Sequence, residues 1–167
     1  MAFSLYDAAT PVFVRGLNAL DGFLDKAAAS GLDEGGLMEA RLAPDMKPLP
    51  DQVRMATFSA RAVVARLTGT EVPFMADDET TLVQLKDRIV RSLAFIESVE
   101  PAAFAGAETR PVTIKLPGRE LNFEGAGYLT SFAIPNFYFH VTTAYAILRK
   151  EGVVLGKQDF LGQLALT

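Results

Sequence analysis

Four stretches of this chain repeat apolar residues at helical spacing, and one stretch between Val112 and Phe123 switches to strict alternation, so few architectures stay open. Phe13, Leu17, Leu20 and Leu24 make the first stripe, with Asn18, Asp21 and Asp25 on the other side. Thr10 with Pro11 can open this helix; Ser4 and Asp7, at capping-box spacing, can open it earlier and let it bend at Pro11. After Pro50, Val53, Ala56, Ala60, Val63 and Leu67 form a second stripe that ends at Gly69. Thr81 and Gln84 suit a capping box for a third helix, whose buried face is Leu82, Leu85, Ile89, Leu93 and Ile96. Lys86, Asp87, Arg88 and Arg91 are expected mostly away from that face, and Pro101 stops the helix. A fourth long helix runs from Tyr128 to Lys150, with a kink or a fresh start at Pro135.

Val112, Ile114 and Leu116, then Leu121 and Phe123, alternate with polar residues around Pro117-Gly118, which predicts a β-hairpin over about 111–124. Pro-Gly favours a type II turn, so a loop wider than two residues or a bulge is expected. A lone hairpin is marginal in water, and its apolar face must lie on the bundle or on a partner. Leu37 and Met38 mark a short helical turn before a crossing loop, and the Gly-broken tail from Gly152 is expected to pack as an extended arm. Together these give a mainly α fold: an antiparallel four-helix bundle with one inserted hairpin.

The 167 residues fit one domain, 1–167. A net charge of −4 argues against nucleic acid as a partner, because phosphate neutralisation needs a concentrated basic surface. No run of about 18 apolar residues predicts a membrane span, and the first residues lack the basic start of a signal peptide. With no cysteine there is neither disulfide nor thiolate chemistry, which agrees with a cytoplasmic location.

The candidate chemistry centres on the single histidine, His140, in the fourth helix. Phe137, Val141, Ala144 and Leu148 share one stripe, and His140 and Ile147 flank it. Phe139 and Ala146 project opposite, which leaves Thr142, Thr143, Arg149 and Lys150 as the main solvent candidates. A helix that is apolar nearly all round is buried on two sides, and the hairpin, the tail or a second copy of the chain can supply the second side. Asn136, Tyr138 and Tyr145 are the candidate ligand-binding residues; the two tyrosines, seven apart, also suit a dimer interface. An Asn just after a kink more often bonds backbone freed by the proline or caps the turn, and Asn136 is read that way first. Arg41, Asp45 and Lys47 are read as a salt bridge anchoring the crossing loop, and the acids of "DDETT" as helix capping. No phosphate loop and no G-x-S-x-G elbow occurs.

The segments "LYDAATPVFVRGL", "RLAPDM", "DDETTL", "FAIPNFYFHVTTAYAILR" and "LGKQDFLG" resemble an uncharacterised bacterial family, the DUF-nineteen-ninety-three family, grouped with the DinB/YfiT-like four-helix bundles. The resemblance implies a DinB-like bundle, commonly dimeric, and no established reaction. Many DinB-like proteins carry a three-histidine metal site, one ligand from the second helix and an H-x-x-x-H pair from the last, and some are thiol-dependent transferases or isomerases. This chain departs from that pattern: Asn136 and Ala144 stand four residues either side of His140, and "ATFSAR" offers Thr57, Phe58 and Ser59. The expected protein is therefore a metal-free, cofactor-free homodimer that binds a small molecule or a protein partner. The alternative is a transferase- or isomerase-type enzyme with His140 as catalytic base, its metal, if it has one, completed by carboxylates or a dimer mate.

Overall fold

The computed structural model describes residues 4–162. Helix α1 (Leu5–Ala28) starts at the earlier of its two candidate caps: the Ser4 hydroxyl accepts from the Asp7 N–H, and the Asp7 carboxylate accepts from the Ser4 N–H. It runs through Pro11. A short α2 (Glu34–Glu39) buries Leu37 and Met38, and α3 (Leu49–Thr68) stops where Gly69 turns left-handed at φ 79°. Helix α4 (Leu82–Glu97) carries the expected Thr81–Gln84 capping box. α3 lies between α4 and the last long helix, α6 (Ile134–Lys150), and α1 closes the opposite side against both. The α1 and α3 stripes are wholly buried, whereas Leu93 of α4 is only half-buried. The core also takes in Phe137, Val141 and Leu148 of α6, and the rings of Phe13 and Phe137 meet edge-on at 4.8 Å.

Strands β1 (Pro111–Leu116) and β2 (Arg119–Glu124) form the hairpin, with Val112 opposite Phe123 and Leu116 opposite Arg119. Its connection is the two residues Pro117-Gly118, against the expectation of a wider loop; Gly118 takes φ 77°, which a non-glycine residue adopts only with strain. Val112 and Ile114 are buried, so the hairpin's apolar face lies on the bundle.

The chain enters α6 through a single turn, α5 (Gly125–Tyr128), and a π-helical turn over Leu129–Ala133, in which the Ile134 N–H reaches the Leu129 carbonyl. Pro135 has no N–H to donate, and its ring would crowd the carbonyl four residues back. The widened turn takes up that conflict, and the helix continues. After Val153–Leu155 the tail forms a short helix, α7 (Lys157–Leu161), against α1, where an extended arm was expected; its last five residues lie outside the described ones.

Two solvent assignments are corrected. Thr143 is buried, with its hydroxyl donating to the Phe139 carbonyl. Arg88, expected away from the α4 core face, is 2% exposed because a carboxylate is folded in beside it. Glu79 accepts from Arg88 Nη1 at 2.7 Å and from Arg54 Nε at 2.9 Å, and Arg88 Nη2 pairs with Asp77 at 2.9 Å.

The crossing loop is held by Arg41 donating to the Met46 carbonyl and by Lys150 donating to the Arg41 carbonyl. The ion pair there joins Lys47 to Asp51 at 3.7 Å.

Candidate functional site

Gln52, Ser59 and Arg66 stand seven residues apart on α3, which is about two turns each, so they form one polar stripe along the helix. Across from it, Phe132, Asn136 and His140 recur every four residues and face the same way. Between the two stripes, under Ile114 and Leu116 of the hairpin, is a cavity of about 310 Å³. Phe58, Phe132 and Tyr128 give it aromatic walls, and Ser59, Arg66, Asn136 and His140 bring polar groups to it.

The hydrogen bonds fix what each polar group has left to offer. Gln52 Nε2 donates to the Lys47 carbonyl at 2.9 Å, which turns the amide oxygen toward His140 Nδ1, also at 2.9 Å. A carboxamide oxygen only accepts, so Nδ1 carries the proton and the neutral imidazole has a bare Nε2 lone pair. No protein group among the described residues bonds to Nε2. Burial holds the imidazole pKa below its ordinary 6.5, so the neutral form dominates at pH 7.

Asn136 Nδ2 donates to Ser59 Oγ at 2.8 Å, which keeps the Asn136 carbonyl as an acceptor and the Ser59 proton as a donor. The Tyr128 hydroxyl accepts from Arg66 Nη1 at 2.9 Å and keeps its own proton. Burial raises the Tyr128 pKa against the pull of Arg66, so the group is a neutral phenol. Two acceptors, two hydroxyl donors and the remaining N–H groups of the Arg66 guanidinium thus border one small space.

His140 and Asn136 come together here. Tyr138 and Tyr145 do not line this cavity; both rings pack on Phe160 of α7, and Tyr145 also meets Phe23 at 5.4 Å. Gln52, Ser59, Arg66 and Tyr128 escaped the sequence reading. The heptad spacing of the three α3 residues is the sequence signal for them, and it runs beside the stronger apolar stripe on the same helix.

A DinB-like metal centre would draw one ligand from α3 and an H-x-x-x-H pair from α6. Here Gln52 holds the imidazole from α3, and Asn136 is tied to Ser59. No three His, Asp or Glu side chains gather to hold an ion among the described residues. One imidazole with neutral amides and hydroxyls does not fit such a metal.

A pH experiment isolates the imidazole, because no other side chain in the chain has an ordinary pKa near 6.5. The folded pKa is depressed, so between the folded value and 6.5 the unfolded chain binds a proton that the native state does not. Stability is complete above pH 6.5 and falls as pH drops below it, with a limiting slope of about 1.4 kcal/mol per pH unit. Urea midpoints between pH 7.5 and 5.5 are expected to fall for wild type and to stay nearly level for His140→Gln. Equal slopes for both would contradict the buried neutral imidazole.

Residues 5–161 match a family described as a domain of unknown function (DUF1993). The chain is similar to the crystal structure of a DinB family member protein from Shewanella denitrificans, with 40% identity, a TM-score of 0.88, and coverage of 98% of this chain and 94% of that one. No curated protein matches it. Both matches span nearly the whole bundle, hairpin included, and on them the chain belongs to the DUF1993 family and has the DinB fold.

Proposed function

We propose that this protein is a small-molecule-binding bundle, one domain over 1–167, whose ligand sits in the cavity between α3, the hairpin and α6. The observation that carries this reading is the bare Nε2 of His140, held in one tautomer by Gln52 beside an aromatic-walled space. The complementary ligand has an apolar or aromatic body and a hydroxyl, thiol or amide proton to donate to Nε2. Asn136 and Ser59 bind its remaining polar edge. Screening small aromatic alcohols, thiols and amides by ligand-observed NMR is expected to yield binders lost in His140→Gln and in Asn136→Leu. Binders that ignore both substitutions, or none at millimolar concentration, would contradict the assignment.

The same geometry favours a second reading, an enzyme of transferase or isomerase type. A neutral imidazole held in one tautomer offers its Nε2 lone pair to a proton from a bound thiol or hydroxyl; the depressed pKa keeps that lone pair free at pH 7 while weakening it as a base. Turnover of a bound ligand by wild type, lost in His140→Gln while binding of the product persists, would distinguish catalyst from binder.

We also propose a homodimer through the outer face of α6. Phe139 is 55% exposed, and with Leu42, Tyr138, Thr142 and Ala146 it borders an open apolar depression. Sedimentation of wild type is expected to give a dimer, and Phe139→Glu a folded monomer whose melting temperature no longer depends on concentration; a wild-type monomer would refute it. The cysteine-free composition supports a cytoplasmic setting. No described helix is long and apolar enough to cross a membrane.

A further inference from the structure

Only two arginines are buried among the described residues, Arg61 and Arg88, and their surroundings differ. Arg88 meets two carboxylates, Glu79 and Asp77, and adds the Ala76 carbonyl and the Thr57 hydroxyl. Its neighbour Arg54, half-buried, is likewise matched by Asp51 and Glu79. Arg61 is 1% exposed and has only backbone carbonyls: Nε donates to Thr57 at 3.3 Å, and Nη1 donates to Pro73. No carboxylate among the described residues pairs with it. Burial, with Arg88 nearby, pushes its pKa down to about 10, which still leaves a full positive charge at pH 7. Asp77 and Glu79 act on it only at a distance, each committed to another arginine, and a desolvated guanidinium with no carboxylate in direct contact is costly.

Arg61 lines a second cavity, of about 430 Å³, on the side of α3 that faces α4 and the loop before it. Met55 and Phe58 are shared with the His140 cavity, but its other walls are separate: Val72, Pro73, Phe74 and Met75 of the loop close over it. Phe74 is 91% exposed, and Phe58 is 47% exposed. Flexible methionines and uncovered aromatic rings beside one unmatched cation make a surface for an apolar body with a charged end. The rim carries Asp77, paired with Arg88, which would repel a second negative charge. A single charge in a planar, two-oxygen group meets the guanidinium fork best.

We propose that this cavity is a binding site for an aryl or alkyl monocarboxylate, its carboxylate on Arg61 and its apolar body against Phe58, Phe74 and Met75. The site is independent of the His140 reading. Phenylacetate and octanoate serve as probes, titrated calorimetrically at low ionic strength into wild type, Arg61→Met, Phe74→Ser and His140→Gln. Saturable binding is expected in wild type. It should weaken at least tenfold in Arg61→Met and severalfold in Phe74→Ser, whose side chain is too exposed to support the fold, and stay unchanged in His140→Gln. Benzyl alcohol, which lacks the charge, should not compete. The proposal is overturned if neither acid binds at millimolar concentration, or if Phe74→Ser binds as wild type does. It also fails if the affinity tracks His140 rather than Arg61, which would place the acid in the neighbouring cavity.

Discussion

Replacing Glu79 with alanine is expected to destabilise the protein by about 3–5 kcal/mol, the range seen when one partner of a buried ion pair is removed. Glu79 is 6% exposed and accepts from two guanidiniums at once, each of its carboxylate oxygens taking one. Its loss leaves Arg88, 2% exposed, with a single carboxylate at the rim, Asp77, which is largely solvated. Arg54 keeps Asp51 and the Glu79 backbone carbonyl, so most of the cost falls on Arg88. Burial alone would raise the Glu79 carboxyl, but the hydrogen bonds from Arg88 and Arg54 outweigh it and hold the pKa below the ordinary 4.5. Its contribution is therefore complete above pH 4.5 and lost as pH falls from there toward the folded value. Urea unfolding at pH 7 measures the effect. A loss under about 1 kcal/mol would mean that Asp77 and Asp51 re-pair both arginines without strain.

Gly125→Ala is expected to cost about 3 kcal/mol, the upper end of what overpacking usually costs. A Cβ on Gly125 would overlap the backbone carbonyl of Ala107 and press on Leu67. Backbone cannot rotate away as a side-chain tip can, so β2 and α5 must separate from residues 107–108, where the Ala126 N–H bonds the Glu108 carbonyl. The hairpin's Ile114 and Leu116 also wall the His140 cavity, so a ligand found there should bind more weakly in this variant. Wild-type melting together with wild-type binding would show that the junction yields freely.

The bundle was legible because its signals are local. Capping boxes at Ser4 and Thr81, a glycine stop at Gly69 and stripes at helical period depend on residues close in sequence. The hairpin declared itself by a change of period, and only its turn was misjudged, since Gly118 absorbs the positive φ within two residues. The failures are non-local. Arg88 reads as solvated on its own helix and becomes buried because Glu79, nine residues earlier on a loop, folds back over it. Thr143 reads as exposed and is buried in the fold, its hydroxyl satisfied on its own helix by the Phe139 carbonyl; that bond is local, and the burial is not. His140 was placed at the core border correctly, yet its partner Gln52 lies 88 residues away on α3, beyond any local pattern. The cavity is likewise assembled from α3, the hairpin, the π turn and α6, each of which reads alone as ordinary core or surface.

The most direct measurement is proton-detected ¹⁵N NMR of the imidazole, which is free of assignment ambiguity because the chain has one histidine. A site built to offer a bare Nε2 gives the Nδ1–H tautomer at pH 7 and an imidazole pKa below 6.5, and a bound donor ligand shifts the Nε2 resonance. An Nε2–H tautomer, or a pKa at or above 6.5, would mean that Gln52 does not fix the ring, and the His140 cavity would lose the feature on which its proposed role rests.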